Sequence, residues 1–355
     1  MKILIVGAGP TGLTAGVELA RRGVDARIID RREEGSTLSR AVGINPRSLE
    51  ILEPSGVTAE LLRRGVELRT IHVYREDNRL LSLPLAAAAK KHGRNFILAL
   101  AQDETEAVLR DAFEREGSTI DYGTELDGLR QNDRQVVATT TTGADLFCDY
   151  LIGADGIGSS TREALGIDFP GVELPETWSI ADVDVAAWRH PMAATLFQLT
   201  EGKVAFVAPL ASDRYRVISN TPDALAALPL ETDVSKIRRE GQFNISIRQV
   251  AEYSKGRVFL AGDAAHCHSP VGGRGMNLGI ADSADLAERL LAGDLSDYSA
   301  ERRLEGHQVV AGSERMRKIV TSPHPLTRML VLTAFKLTSV LPPLQARLAT
   351  QFLYG

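Results

Sequence analysis

The sequence predicts an α/β fold, in which a frame of strands and helices is interrupted by a β-rich insertion and followed by a helical segment. Three observations predict it. The chain opens on an apolar run, Lys2 to Val6, that leads into Gly7-Ala8-Gly9-Pro10-Thr11-Gly12 and then a helical pattern. Residues 173–250 alternate short apolar runs with turn residues, a β-rich signature. Strand-then-helix patterning returns over 257–292. At 355 residues the chain is long enough for roughly two domains at about 150 residues each.

Taken in order, four β-favouring residues ending in glycine give a buried parallel strand over 2–7, and the glycine turn starts a helix over 11–22. A strand follows over 25–30, then a loop to 44 and short helices at 46–53 and 57–64. Residues 66–100 read as strands around a loop holding Lys90-Lys91-His92-Gly93. Gln102-Asp103-Glu104-Thr105-Glu106 opens a helix whose body is 103–116. Strands follow near 119–127, 134–141 and 145–153. After the β-rich stretch come a strand at 257–261 and a helix at 275–292. From 301 the chain reads as helical, broken by Pro323, Pro325 and Pro342-Pro343.

Composition narrows the function. Apolar residues make up 44% and charged residues 25%, ordinary for a globular protein, which rules out disordered, collagenous and coiled-coil chains. The net charge of −5 gives no support to a nucleic-acid binder. Two cysteines, Cys148 and Cys267, make no disulfide framework and point to a reducing, cytoplasmic setting. No stretch reaches the roughly 18 apolar residues of a membrane span. Residues 301–355 carry 8 Lys/Arg against 3 Asp/Glu, a basic end on an acidic body.

The opening glycines fit G-x-G-x-x-G between strand and helix. The first makes the tight turn, the second admits a pyrophosphate to the backbone, and the third lets helix and strand pack closely. Free N–H groups at the helix start bind the anion. Asp30 lies 18 residues after Gly12, where a carboxylate can accept ribose hydroxyls, with Arg31 beside it. This Rossmann-like fingerprint says dinucleotide without choosing between NAD and FAD.

Two further motifs choose. One is Gly153-Ala154-Asp155-Gly156-Ile157-Gly158-Ser159-Ser160-Thr161-Arg162. The other is Gly262-Asp263-Ala264-Ala265-His266, running through Pro270 to Gly272-Gly273-Arg274-Gly275-Met276-Asn277. Asp263 ends a strand and can accept hydroxyls of a ribityl chain. The glycines permit backbone approach to a flat ring and lead into a long helix whose N-terminus carries about half a positive charge. In order and separation the three motifs resemble the signatures of the class A FAD-dependent (aromatic) monooxygenases, the p-hydroxybenzoate hydroxylase fold, over about residues 1–320.

The resemblance implies a Rossmann-like FAD-binding domain (1–72, 98–172 and 251–300), an inserted β-rich substrate domain (73–97 and 173–250) and a C-terminal helical segment (301–355). It implies bound FAD and transient NAD(P)H, which docks without a second glycine fingerprint. FAD contacts fall to Gly7, Gly9, Pro10, Thr11, Gly12, Asp30, Arg31, Arg40, Gln102, Leu126, Asp155, Arg162, Asp263, Gly273, Gly275, Met276 and Asn277. In particular it assigns Arg40 to a phosphate, Gln102 and Asp263 to the ribityl chain, backbone at Leu126 to adenine, and Asp155 with Arg162 to the pyrophosphate region and nicotinamide docking. Arg274 departs from the glutamine often found there; as a cation it could stabilise reduced flavin or point to solvent. Pro270 resembles the proline whose carbonyl lies beside the flavin. In Asp213-Arg214-Tyr215-Arg216, alternation puts both arginines on one face, and Arg214 is favoured as facing the active site.

The implied activity is hydroxylation or epoxidation of an aromatic or polyketide-like small molecule with NAD(P)H and O2, through a flavin C4a-hydroperoxide. The alternatives are an FAD reductase of the geranylgeranyl-reductase kind, a non-turnover FAD-binding scaffold, and an NAD dehydrogenase. His266-Cys267-His268 reads as structure around the ring, since three consecutive residues rarely converge on a metal. Tyr74, His72, Phe197, Phe206 and Phe243 are pocket candidates, and no residue is assigned as substrate base. The apolar, sparsely basic helices after 325 pack on the body, lie on a membrane, or close an open site over the flavin.

Overall fold

A computed structural model of the chain describes residues 1–35, 41–88 and 93–354. The frame begins with β1 (Lys2–Val6), α1 (Pro10–Ala20) and β2 (Asp25–Ile29), followed by β3 (Gly43–Ile44), α2 (Pro46–Ile51), α3 (Val57–Arg64) and β4 (Val66–Leu68). The chain then crosses to β5 (Thr70–Arg75) and β6 (Asn78–Pro84) and returns through β7 (Ile97–Ala99), α4 (Gln102–Arg115), β8 (Ile120–Asp121), β9 (Leu126–Gln131), β10 (Val136–Thr140), β11 (Asp145–Cys148), β12 (Tyr150–Gly153) and α5 (Ser160–Ala164). The β-rich stretch contains β13 (Gly171–Val185), β14 (Ala193–Gln198), β15 (Val204–Pro209), β16 (Arg214–Ser219) and β17 (Val234–Gln249). The end of the frame is β18 (Ser254–Lys255), β19 (Val258–Leu260), β20 (His266–Cys267) and α6 (Gly275–Ala292). Three helices close the described chain: α7 (Tyr298–Val320), α8 (Pro325–Val340) and α9 (Pro342–Tyr354).

The frame is a six-stranded sheet in the order β18-β19-β12-β1-β2-β8, parallel except for β18 against β19. Ile3, Leu4, Ile5 and Val6 are all buried, as a parallel strand covered on both faces requires. Gly16 lets α1 and α4 close up: a Cβ there would lie 2.9 Å from both Phe113 and Ile28. The interior is one core drawn from β1, β2, β12, α1, α4 and α6.

The second layer is an eight-stranded sheet ordered β20-β17-β13-β16-β15-β14-β5-β6. Its register divides the side chains. In β16, Tyr215 and Val217 pack with Phe197, Val183 and Tyr74 on the face turned from the frame. Arg214, Arg216 and Ile218 occupy the other face, where Arg216 reaches the frame at Ala41. Residues 301 onward are helical as expected. Ala349 and Leu353 of α9 are fully buried against Leu81, Leu83 and Leu85. By contrast Leu326, Met329, Leu330 and Val340 of α8 are more than half exposed. No single helix among the described residues is long and apolar enough to cross a membrane.

Candidate functional site

The three glycine-bearing motifs, spread over 270 positions of sequence, meet at one edge of the frame. Gly7 has φ +107° and presses its α-carbon against Ala154 and Asp155 of the second motif. Thr11 of the first motif abuts Gly262 and Gly279 of the third, and Ser283 Oγ donates to the Thr11 carbonyl at 2.7 Å. A Cβ on Gly12 would fall inside the shell of the Gly7 carbonyl oxygen. At Gly9 and Gly273, in contrast, an added Cβ would meet nothing within 4 Å, so their backbones are open to a ligand. Helices α1 and α6 both begin without a side-chain cap, leaving N–H donors for an anion or a carbonyl edge.

Asp30 sits at the end of β2 beside this loop. Its carboxylate accepts from the Ala8 N–H at 2.6 Å and from Arg32 through the backbone N–H, Nε and Nη2. Burial pushes its pKa up, but these bonds outweigh burial and hold it below the ordinary carboxylate value. Arg32 is therefore the cation paired with Asp30. Arg31, the residue singled out from sequence, is 59% exposed and sits 3.8 Å from Glu125. A one-residue change of facing at a strand end decides this, and spacing alone does not reveal it. Arg40 lies outside the described residues.

Beside Asp30 is a cavity of about 350 Å³ lined by Ala8, Leu13, Glu34, Glu106, Arg110 and Tyr122 among others. Gln102 opens α4 there; its carbonyl oxygen accepts from the Ala41 N–H and its amide donates to Glu106. Sequence reasoning misses Glu106. Burial raises its carboxyl to about 7, and its Oε2 lies 3.7 Å from Arg32 without a hydrogen bond. A carboxyl whose folded pKa exceeds its unfolded one favours folding when protonated. Its contribution is full below about pH 4.5 and is lost as pH rises to about 7. Glu106→Gln is expected to flatten that slope, making the protein more stable at about pH 8 by on the order of 1–3 kcal/mol and little changed at about pH 5. Urea unfolding at the two pH values measures it.

The second motif is engaged within its own turn. Asp155 accepts from Ser159 Oγ and from the backbone N–H and hydroxyl of Thr161, capping α5. Burial raises its pKa despite these bonds. Arg162 donates to the carbonyls of Ala264 and Ile157 and lies 4.1 Å over the Phe169 ring. Asp155 thus holds the turn of the second motif, and Arg162 ties that motif to the third at Ala264. Leu126 is buried in the frame core at the start of β9.

In the third motif, Asn277 Nδ2 donates to the carbonyls of Gly43 and Gly273 while its oxygen accepts from the Asn45 N–H, clamping β3 to the glycine loop. Gly272 and Gly273 have φ +97° and +63°, and Met276 is buried at the start of α6 beside Gly275. Asp263 does not end the strand, which stops at Leu260; it is exposed in the short 3-10 turn Gly262–Ala264 that follows. The Pro270 carbonyl accepts from the Gly273 N–H at 2.9 Å, closing a turn. His266 and His268 go separate ways: His266 bonds Asp282 at 2.6 Å and His268 bonds the Ser269 carbonyl. Burial lowers the His266 pKa, but the charge of Asp282 overcomes it and the net shift is upward.

Across from the glycine loop, the inward face of the large sheet carries Trp178, Ile218 and Phe243, packed with Val271 of the loop and Val320 at the end of α7. At its polar end Arg216, wholly buried, makes a bidentate pair with Asp182 at 2.7 and 2.8 Å and donates to the Ala41 carbonyl. Arg214 shares Asp182 at 3.2 Å but stays 21% exposed. The two arginines do share a face, yet among the described residues the one bonded to the frame is Arg216 and not Arg214. Asp182 also escapes sequence reasoning, because it comes from β13 and only sheet register brings it opposite Arg216. Phe206 and Phe243 lie on the inward face. Phe197, Tyr74 and His72 lie on the outward one, where Tyr74 Oη meets His190 Nε2 at 2.7 Å and His72 stacks on His190.

The chain is similar to known proteins over most of its length. A sequence profile for the family described as FAD binding domain matches residues 1–227 and 220–313. Pentachlorophenol 4-monooxygenase of Sphingobium chlorophenolicum is 32% identical over 351 residues, which cover 90% of this chain and 64% of that enzyme, so the chain spans about two thirds of that relative. Among solved structures, p-nitrophenol 4-monooxygenase from Pseudomonas putida DLL-E4 superposes with a TM-score of 0.91 at 22% identity, covering 99% and 97% of the two chains, a likeness of fold. Aklavinone-11 hydroxylase, solved with FAD and aklavinone, superposes with a TM-score of 0.78 at 27% identity over 91% of this chain and 69% of that one.

Proposed function

The chain belongs to the FAD-binding family of flavoprotein monooxygenases, and on that premise we propose that it hydroxylates or epoxidises an aromatic or polyketide-like small molecule with NAD(P)H and O2. One observation carries the reading: three distant motifs converge so that Gly9, Gly273 and two uncapped helix N-termini present open backbone along one edge. That is a cradle for a long, flat, twice-phosphorylated ligand. FAD supplies the acceptance of electrons from NAD(P)H and the activation of O2 when bound.

The chain's own residues bind and orient. In this reading Gly7, Gly9, Pro10, Thr11 and Gly12 receive the pyrophosphate on α1, and Asp30 accepts ribose hydroxyls beside Arg32. Gln102 and Asp263 hold the ribityl chain. The N–H groups at Met276 and Asn277 face the ring edge, where the dipole of the 18-residue α6 favours negative charge on the reduced ring. Asp155, Arg162 and Leu126 support the cradle from behind. Residues 1–72, 98–172 and 251–300 form the FAD domain, 73–97 and 173–250 the substrate domain, and 301–355 the helical segment. The substrate lies against the inward face near Trp178 and Phe243, a wall suited to an aromatic ring, with Arg216 fixing the wall to the Ala41 segment. The relatives named act, by their names, on pentachlorophenol, p-nitrophenol and aklavinone, which supports a phenolic or polyketide class. The test is substrate-stimulated NAD(P)H oxidation with matching O2 uptake by the purified flavoprotein over a panel of phenols and aromatic polyketides. Stimulation by at least one class is expected. A flavin-loaded protein that oxidises NAD(P)H with none of them would count against the reading.

A further inference from the structure

Helix α8 presents an apolar face that no described residue covers. Leu326, Met329, Leu330, Leu337 and Val340 recur at spacings that put them on one side of the helix, and all five are exposed, Leu330 at 65% and Val340 at 69%. Leu341 and Leu344 are exposed as well and carry the same surface to the start of α9. The other side of α8 is the packed one, where Thr338 is buried and Phe335 joins the cluster of Leu81 and Leu83 on β6. Helix α9 is anchored besides: Tyr354 Oη donates to the Arg94 carbonyl at 2.7 Å, and Arg274 reaches out from the glycine loop to the Gln351 carbonyl at 3.4 Å. The apolar face of α8 is thus held outward by a helix pair fixed to the body.

The charge around this face has one sign. Residues 315–355 hold six Lys/Arg and no Asp/Glu, while the rest of the chain holds 35 against 46. Arg317 and Lys318 pair with Glu314, and Arg328 donates to the Leu199 carbonyl. Arg315, Lys336 and Arg347 are exposed and have no carboxylate within ion-pair distance among the described residues. Lys336, one residue before Leu337, stands at the edge of the apolar stripe, where its stem can lie along the leucines and its ammonium stay in water.

We propose that this face rests on a lipid surface rich in anionic headgroups, the leucine and methionine side chains entering the acyl boundary and Lys336 meeting the headgroups beside them. An apolar face with basic flanks on a helix too short to span is what such a surface takes up. The 16-residue α8 meets α9 at 110°, so the two form no continuous rod and α8 lies along the surface. Charge decides between this occupant and a second copy of the chain. Two copies joined through α8 would bring together two basic segments without a carboxylate between them, whereas anionic lipid compensates each. Because α8 packs on β6, docking turns the inserted sheet toward the lipid, the phase in which apolar compounds collect.

The test sediments the FAD-loaded full chain with vesicles of phosphatidylcholine mixed with phosphatidylglycerol, and with vesicles of phosphatidylcholine alone. Binding to the mixed vesicles is expected, weakened by added salt, with much less on the neutral ones. Lys336→Gln with Arg347→Gln should lower the partition constant about tenfold. Leu330→Ser with Val340→Ser should lower it about tenfold or more, with thermal unfolding and flavin content unchanged because both side chains are exposed. Leu330→Trp should show emission moving to shorter wavelength when mixed vesicles are added. Equal binding by the wild type and the serine variant would overturn the proposal. So would equal binding to neutral and anionic vesicles, or none to either. A protein that is dimeric by light scattering, turns monomeric in the serine variant and ignores both vesicles would give the face to a second copy instead. None of these outcomes bears on the monooxygenase reading, which stands or falls on turnover.

Discussion

Gly12→Ala is expected to purify colourless. The added methyl group would drive into the Gly7 carbonyl oxygen, with Ile5 Cγ2 at 3.2 Å leaving no retreat, so α1 must lift from β1. Overpacking of this kind costs about 1–3 kcal/mol in stability. The functional loss is larger. The helix start that receives the pyrophosphate moves, and Thr11, which links α1 to Gly262, Gly279 and Ser283, moves with it. Losing two charge-assisted hydrogen bonds alone corresponds to about a hundredfold or more in affinity. Gly9→Ala separates the two effects. Its φ of −81° suits alanine and its Cβ would meet nothing within 4 Å, so the fold should be unchanged while flavin binding falls. Flavin absorbance per chain after gel filtration, with thermal unfolding alongside, reads both variants. A fully yellow Gly12→Ala protein would be at odds with the cradle.

Asp182→Ala should be among the most destabilising single changes in the large sheet. It strands Arg216, which is 0% exposed, with the Ala41 carbonyl as its one remaining hydrogen-bond partner among the described residues, and takes a partner from Arg214. Removing one member of a buried ion pair costs about 3–5 kcal/mol, because the remaining charge is uncompensated. The double change Asp182→Leu with Arg216→Met removes both charges and is expected to recover most of the stability. It should not recover turnover, since the tie from the sheet to Ala41 is gone. Urea unfolding and substrate-stimulated NAD(P)H oxidation on the three proteins separate these outcomes. Recovery of full activity by the double variant would show that Arg216 is a packing element only.

The two predictions also mark where the sequence is informative. Gly7, Gly9 and Gly12 can be read because a glycine is demanded by steric rules that act over a few residues. The span of α6 is legible at 275–292 because glycines precede it and another, Gly293 at φ +72°, ends it. The inserted sheet is legible from its alternating pattern. The Asp182–Arg216 pair is not, because cross-strand register is set by the packing of whole strands. The sequence reading names Arg31 and not Arg32, and Arg214 ahead of Arg216, and nothing local in the sequence separates the members of either pair, which differ in which way a side chain faces or how deep it sits. Phe197 and Phe206 likewise look equivalent until the pleat puts them on opposite faces. Glu106 carries no sequence signal, since its raised pKa comes from burial behind Gln102.

The most direct test of the account is the fate of oxygen. The flavin-loaded protein, given NAD(P)H and an accepted aromatic substrate under isotopically heavy O2, should yield product carrying one heavy oxygen atom, with about one NAD(P)H consumed per product formed. Product formed without oxygen, reduced and unlabelled under anaerobic conditions, would contradict it and identify a flavin reductase on the same frame.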